Sequence, residues 1–242
     1  MKIMASDFDG TLCRGRITEE DRDAIARWRA AGNQFGVVTG RMYDGAAWIH
    51  TLGVEMDFTI GSSGALIVAP DREIVDEVCG DASFLPDAAR LAAEMGGRHM
   101  VIGRGKEQAW IKFGEENWQD QLSVLENWTK FSQFSVAFAD DDLAAEYVRV
   151  LGEQYGTFCN PLQNGGNVDV PPPGIDKPVG IARYVELNGL SPQHIITVGD
   201  NLNDLAMITA YEGYAMANGR DEVKASARGV VTTIAELIEK YL

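Results

Sequence analysis

Short apolar runs alternate with helix-forming segments at both ends of the chain, and this alternation restricts the possible fold more than any other feature. Near the amino terminus the runs are 2–6, 35–38 and 58–60, and near the carboxyl terminus they include 194–198 and 213–216. Strands that are buried on both faces of a parallel sheet have this short, continuously apolar character. The pattern therefore predicts a parallel sheet whose strands are joined by right-handed helical crossovers.

The alternation stops near residue 80 and resumes near residue 174. Between these points the sequence predicts two helices, several strands, including one at 157–159, and a helical segment at 118–128. The proline run and glycine at 171–174 form a stiff link with a pivot. We therefore predict an α/β protein with a doubly wound, mainly parallel Rossmann-like core sheet and an inserted α+β domain. Its predicted bounds are 1–80 and 174–242 for the core domain, and 81–173 for the insert.

The charge balance limits the class of partner. The chain has 242 residues, with 21 Lys and Arg against 36 Asp and Glu, so its formal net charge is −15. Such a charge disfavours nucleic acid or an anionic membrane as a partner. No apolar run reaches the ~18 residues of a membrane span, and the amino terminus lacks a signal-peptide pattern. Three scattered cysteines favour a reducing cytoplasm. The sequence leaves a monomer and a homodimer equally open.

Two carboxylates directly follow the first predicted strand. Asp7 and Asp9 are two residues apart, so in an extended chain they point to the same side. Gly10 and Thr11 follow them with a flexible turn and exposed backbone donors. Such a pair is costly to hold unless a cation binds it. A solvated Asp-x-Asp-Gly turn is the alternative explanation of this tetrad taken alone.

Three further loops carry polar residues at predicted strand ends or helix starts. These residues are Thr39, Gly40 and Arg41 in one loop, Lys177 at a helix start, and Asp200, Asn203 and Asp204 in another loop. Ligands bind where the carboxyl ends of parallel strands meet, so we expect the loops to converge. Their oxygens suit Mg²⁺, and their lysine suits a phosphoryl group. With a carboxylate nucleophile available, the set predicts phosphoryl transfer through an aspartyl-phosphate.

These four loops, in order, make the chain resemble the haloacid dehalogenase superfamily of phosphohydrolases, in its Cof-like branch with a type IIB cap. The resemblance covers essentially the whole chain and includes the stretch Ala215-Met216-Ala217-Asn218. It implies a Mg²⁺-dependent phosphatase that hydrolyses small phosphomonoesters, with sugar phosphates or related metabolites as the default substrates. It also implies that the insert is a cap that excludes water and selects the leaving group.

The resemblance also implies a role for each matching residue. Asp7 would be the nucleophile and a metal ligand. Asp9 would be the general acid and base, with its backbone carbonyl on the metal. Thr39 and Lys177 would bind the phosphoryl group, and Lys177 would keep Asp7 ionised. Asp200 would be a direct metal ligand.

The remaining roles are less defined by the pattern. Asn203 and Asp204 would either ligate the metal or orient its waters, and Asn203 also counts among the phosphate-binding residues. Gly10 and Gly40 would offer backbone donors. Arg41 is interpreted as a substrate contact, with a helix-end salt bridge as the alternative. Ser63 occupies a position where the branch usually has a substrate-facing asparagine.

Two other functions remain compatible with the sequence. A sugar-phosphate mutase would use the same Asp7 and Asp9 but would retain a bisphosphorylated intermediate. A non-catalytic protein that binds a metal or a phosphometabolite is the other alternative, although none of the catalytic residue types is missing. In the insert, Trp110, Trp118 and Trp128 are interpreted as core residues, with stacking on a substrate as the alternative.

Overall fold

The computed structural model describes all of residues 1–242. In chain order the strands are β1 (Ile3–Ser6), β2 (Gln34–Val38), β3 (Phe58–Gly61), β4 (Leu66–Val68), β5 (Ile74–Glu77), β6 (Gly80–Asp81), β7 (His99–Arg104), β8 (Glu107–Lys112), β9 (Lys130–Phe131), β10 (Gln133–Ala137), β11 (Leu162–Asn164), β12 (Asn167–Val170), β13 (Ile195–Gly199), β14 (Glu212–Met216) and β15 (Val230–Val231). The helices are α1 (Glu19–Ala30), α2 (Tyr43–Ile49), α3 (Leu85–Glu94), α4 (Asp141–Tyr155), α5 (Lys177–Leu187), α6 (Leu205–Ala210), α7 (Asp221–Ser226) and α8 (Ile234–Glu239). Short 3₁₀ segments are Ser62–Gly64, Trp118–Asn127 and Leu202–Asp204.

The chain forms two compact units. The core unit consists of Met1–Asp76 and Lys177–Leu242, and the insert unit is Glu77–Asp176. The core unit is built on an eight-stranded sheet with the order β15-β14-β13-β1-β2-β3-β4-β5. The strands from β15 to β3 are parallel neighbours, and β4 runs antiparallel to β3. The prediction of a doubly wound, mainly parallel sheet is confirmed.

Apolar side chains hold the helices of the core unit against its sheet. One cluster includes Trp28 of α1 and Leu237 of α8, together with Phe35 of β2. A second cluster includes Ile60 of β3 and Ile181 of α5. Since β1 lies between β13 and β2, its residues contribute to both clusters, and this buries the strand that leads into the first loop.

The insert unit has its own sheet and its own core. Its five antiparallel strands have the order β11-β12-β10-β7-β8. Buried side chains of this sheet pack with α3 and α4 in one cluster, and Trp118 and Trp128 pack against that cluster. Trp110 differs from the expectation of a core residue because it is 55% exposed.

One local prediction for the insert unit was wrong. Residues 157–159 form no strand, because the Tyr155 carbonyl accepts the amides of Phe158 and Cys159 and holds this stretch in a turn after α4. The segment predicted as helical at 118–128 is a 3₁₀ helix over Trp118–Asn127. No helix anywhere in the chain combines the length and the apolar character that crossing a bilayer requires.

A buried carboxylate joins α1 to the start of α8. Asp21 accepts the Ala235 amide at 2.9 Å and the Thr18 hydroxyl at 2.8 Å, and it pairs with Arg14 at 3.2 Å. Its side chain has no exposed surface. The carboxylate therefore satisfies backbone and side-chain donors from three separate parts of the core unit.

We expect Asp21→Ala to destabilise the core unit by about 2–3 kcal/mol, because it leaves a buried amide without an acceptor. The measurement is the urea unfolding midpoint followed by tryptophan fluorescence. Asp23→Ala is the matched control, since Asp23 is an exposed aspartate on the same helix, and its effect should stay within about 0.5 kcal/mol. Equal midpoints for the two variants would contradict the assignment of a stabilising role to Asp21.

Candidate active site

The predicted site residues of the core unit lie at one edge of its sheet. Four neighbouring strands, β13, β1, β2 and β3, run parallel, so their carboxyl ends lie side by side. Asp7 follows β1, Thr39 follows β2, Ser63 follows β3, and Asp200 follows β13. The parallel register thus gathers loops that are far apart in the sequence, which is the expected location for a ligand in such a sheet.

Lys177 is the residue that links the first loop to the last. It is the first residue of α5, and its side chain is completely buried. Its Nζ donates to Asp7 Oδ1 at 2.7 Å and also to Asp204 Oδ1. A buried ammonium requires such partners, because an unpaired charge out of water is very costly. The three side chains therefore form one ionic cluster.

Burial and charge shift the pKa values within this cluster. Burial raises the pKa of Asp7 well above its usual value; the charge of Lys177 lowers it, and those of Asp204 and Asp200 raise it. Burial lowers the pKa of Lys177, but the Asp204 and Asp7 carboxylates outweigh it, and the net shift is upward. Lys177 is thus held as a cation, and one lysine does not compensate all the neighbouring carboxylates.

Asp204 is committed to holding the last loop together. Its Oδ2 accepts the backbone amides of Asp200 and Asn201 at 2.9 and 3.0 Å, while its Oδ1 accepts Lys177. The Asn201 side chain completes a capping box at the start of the 3₁₀ segment Leu202–Asp204. Because both oxygens of Asp204 have these partners, its evident structural role is to position Lys177 and the loop that carries Asp200.

Asp200 lies directly against the first loop. Its Oδ1 accepts the Thr11 hydroxyl at 2.6 Å, and burial raises its pKa. Gly10 has φ = +85°, and a Cβ at this position would lie 2.5 Å from Asp200 Oδ2. Glycine is therefore required at position 10 both by the left-handed backbone and by the close carboxylate.

The backbone of Gly10 is engaged within the core unit. Its amide donates to the Cys13 carbonyl at 3.0 Å, and its carbonyl accepts the Asn218 side-chain amide at 2.9 Å. That the Gly10 backbone donates a hydrogen bond to phosphate stays a prediction. The sequence did not predict the contacts of the Thr11 hydroxyl or of the Asn218 side-chain amide. Both residues lie in stretches that resemble motifs of the family, and only this resemblance could have indicated a role for them.

The donor set of the acidic cluster fits a hard divalent cation. Asp7, Asp200 and Asp204 each offer a carboxylate oxygen, and these oxygens all lie within 4.8 Å of one another. Oxygen ligands without sulfur or imidazole are those that Mg²⁺ prefers. Burial first, and then neighbouring carboxylates, raise the pKa of Asp7 and of Asp200, and a cation would offset the negative charge of those neighbours. Asn203, next to Asp204, is buried as well.

The loops after β2 and β3 are joined to each other. The Thr39 carbonyl accepts the Ser63 amide at 3.1 Å, and the Arg41 carbonyl accepts the Ser62 amide at 2.8 Å. Thr39 Oγ1 accepts the Arg41 amide at 3.2 Å. Ser62 and Ser63 have φ values of 48° and 52°, which are rarely adopted outside glycine. Gly40 lies between Thr39 and Arg41 in the loop after β2.

Asp9 and Arg41 form a bidentate ion pair. Arg41 Nε donates to Asp9 Oδ2 and Arg41 Nη2 donates to Asp9 Oδ1, both at 2.7 Å. These hydrogen bonds raise the pKa of Arg41. Asp9 is therefore in the same loop as Asp7 but outside the buried ionic cluster, with 59% of its side chain exposed. Arg41, just before the start of α2, thus forms a salt bridge, which was the alternative interpretation of this residue, and only its partner Asp9 was not predicted.

Comparisons with known proteins agree with this architecture. Residues 4–236 match the family described as haloacid dehalogenase-like hydrolase. The chain is 36% identical over 273 residues to the pyridoxal phosphate phosphatase YbhA of Escherichia coli (strain K12), covering 100% of this chain and 98% of the relative. It is 27% identical to the 5-amino-6-(5-phospho-D-ribitylamino)uracil phosphatase YcsE of Bacillus subtilis (strain 168), covering 98% and 92%.

A solved structure gives the same result for the fold. A haloacid dehalogenase-like hydrolase from B. subtilis superposes with a TM-score of 0.82 at 19% identity, covering 100% of both chains. The family match spans nearly the whole chain, and the relative with 36% identity is aligned over its full length. This chain is therefore a phosphatase that belongs to the haloacid dehalogenase-like hydrolase family.

Proposed function

We propose that this phosphatase is a Mg²⁺-dependent enzyme that hydrolyses small phosphomonoesters through an aspartyl-phosphate on Asp7. The observation that carries the proposal is the buried contact of Lys177 with both Asp7 and Asp204, beside Asp200. It combines a carboxylate nucleophile, a fixed positive charge and a set of oxygen ligands. Phosphoryl transfer requires this combination, since catalysis there is mainly positioning and charge neutralisation.

In this proposal Asp7 and Asp200 hold the metal through carboxylate oxygens, and Asp9 holds it through its backbone carbonyl. When bound, Mg²⁺ neutralises charge on the phosphoryl oxygens. Asp204, whose oxygens are already engaged, keeps Lys177 and Asp200 in place. Asn203 binds the phosphate or orients the waters of the metal.

The reaction proceeds in two displacements at phosphorus. A carboxylate oxygen of Asp7 attacks, the bond from phosphorus to the ester oxygen breaks, and Asp9 gives its proton to the leaving oxygen. Asp9 then takes a proton from water, which attacks phosphorus and releases inorganic phosphate and the Asp7 carboxylate. Lys177 stabilises the charge of the transferring group throughout.

Thr39, Gly40 and Ser63 complete the site in this proposal. Their loops follow β2, which pairs with β1, and β3, which pairs with β2. The Thr39 hydroxyl and the Gly40 backbone contact the phosphoryl group, and Ser63 contacts the rest of the substrate. The insert unit is proposed to be the domain that selects the leaving group.

Replacement of the nucleophile gives the first test. Asp7→Asn should reduce turnover of p-nitrophenyl phosphate roughly a thousandfold or more, because an amide cannot form the acyl-phosphate. Phosphate release with added Mg²⁺ is the measurement. Asp44→Asn, at an exposed aspartate, is the control and should keep wild-type turnover. Retained activity in Asp7→Asn would sink the catalytic assignment.

Metal dependence gives the second test. Chelation by EDTA should abolish activity and Mg²⁺ should restore it, and Asp200→Asn should raise the Mg²⁺ concentration required for half-maximal activity roughly tenfold or more. Calorimetric titration of Mg²⁺ into the same variant gives a readout independent of turnover. Asp221→Asn is the control because its side chain is 99% exposed. An unchanged Mg²⁺ requirement in Asp200→Asn would contradict its role as a ligand.

A substrate panel gives the third test. Because the relative at 36% identity is named as a pyridoxal phosphate phosphatase, pyridoxal phosphate is the first ester to assay, with sugar phosphates beside it. We expect phosphate release from at least one of them without an added sugar bisphosphate. Isomerisation of a sugar phosphate without phosphate release, dependent on a bisphosphate activator, would instead identify a mutase.

A further inference from the structure

Two aromatic rings also contact the arginine of the Asp9–Arg41 pair. The Arg41 guanidinium carbon lies 5.1 Å from the Phe8 ring centroid and 5.4 Å from the Trp48 ring centroid. The two rings meet edge to face at 6.1 Å, with an interplanar angle of 86°. Phe8 is buried, but Trp48 is 46% exposed. Because nearly half of the Trp48 side chain is exposed, hydrophobic burial does not by itself explain why its ring lies against the Arg41 guanidinium.

Helix α2 also makes room for the stem of Arg41. Gly45 lies on this helix three residues before Trp48, so the two share one face. A Cβ at Gly45 would lie 2.9 Å from Arg41 Cβ and 3.1 Å from Arg41 Cδ. Glycine inside a helix is unfavourable, and its presence here is explained by the close approach of the arginine.

The backbone of Arg41 is fixed as well. Its carbonyl accepts the Ser62 amide, and its amide donates to the Thr39 hydroxyl. Arg41 is thus restrained by hydrogen bonds at its backbone, by Gly45 along its aliphatic stem and by two aromatic rings at its guanidinium. All these restraints converge on a guanidinium whose hydrogen-bonding fork is directed at both oxygens of one carboxylate, that of Asp9.

We infer that Arg41 is a positioning residue for Asp9, and that Trp48 and Gly45 of α2 in turn position Arg41. The inference rests on the proposed function, in which Asp9 transfers the proton to and from the reacting oxygens. The fork uses one lone pair on each Asp9 oxygen, so the transferred proton is held on a remaining lone pair of the same carboxyl group. Asp9 is otherwise exposed, so its carboxylate could adopt several rotamers without the fork. Proton transfer requires the carboxyl group within hydrogen-bonding distance of the reacting oxygen, and a displacement of about 1 Å is costly.

This assignment differs from a role of Arg41 as a direct substrate contact. An arginine that binds substrate contributes to affinity for every ester alike. An arginine that positions the general acid matters only when the leaving oxygen needs a proton. Phenyl phosphate has a poor leaving group, whereas 2,4-dinitrophenyl phosphate has a good one of similar shape. The ratio of kcat/KM for these two esters therefore separates the two roles.

The decisive measurement is kcat/KM for both esters in Arg41→Ala and in Arg41→Lys. We expect Arg41→Ala to lose about ten- to a hundredfold with phenyl phosphate and less than about threefold with 2,4-dinitrophenyl phosphate, because proton transfer contributes only to the first. Arg41→Lys keeps the charge but lacks the bidentate fork, so it should not restore the ratio. Equal losses with both esters, or rescue by lysine, would overturn the inference.

Two variants on α2 test the same geometry without removing the guanidinium. Gly45→Ala improves the helical propensity of α2 but collides with the Arg41 stem, so it should reproduce the selective loss while thermal stability is kept. Trp48→Leu should lose roughly threefold or more with phenyl phosphate, and Trp48→Phe should retain more activity because it keeps a ring face. Wild-type ratios in Gly45→Ala and Trp48→Leu would overturn the role of α2.

Asp44→Ala is the matched control, since Asp44 is an exposed residue of the same helix, and its ratio should equal that of the wild type. The nucleophile variant Asp7→Asn distinguishes failure of the inference from failure of the proposed function. If Asp7→Asn hydrolyses both esters normally, the proposed function fails. If Asp7→Asn is inactive while the Arg41 variants lose equally on both esters, only the positioning role fails.

Discussion

The buried ammonium of Lys177 is the interaction on which the rest of the site depends. It joins Asp7 after β1 to Asp204 after β13, two loops that the sheet places side by side. A charge without solvent exposure is tolerated only while its partners stay in place, so the ion cluster also fixes the start of α5 and the last loop. The same contacts therefore stabilise the core unit and arrange the residues of the site.

Without a further cation, the single lysine of the cluster does not balance the charges of its carboxylates. Burial and neighbouring carboxylates raise the pKa of Asp7 and of Asp200, which means that their ionised forms are disfavoured where a nucleophile and a ligand would be needed. A divalent cation would supply the missing positive charge, and the oxygen donor set matches one. Asp204 stands apart, because its hydrogen bonds assign it to holding its neighbours.

A second, more exposed arrangement surrounds Asp9. Its ion pair with Arg41 is held by two aromatic rings and by a glycine that leaves space for the arginine stem. The two carboxylates of the first loop thus have different environments, one buried against lysine and one exposed against arginine. Different environments are how paired acids acquire different chemical tasks. The proposed division into nucleophile and proton-transfer group is consistent with this difference.

The sequence by itself determined the parallel core, because continuously apolar strands that alternate with helices have few other ways to be buried. It also identified the polar loops at the strand ends, since the four loops taken in order resemble the motifs of the family. Only the tertiary structure decided which partners those residues take. Lys177 is 170 residues from Asp7, and the stem of Arg41 lies against Gly45. Such contacts depend on strand order and side-chain packing in three dimensions, and a one-dimensional pattern contains neither.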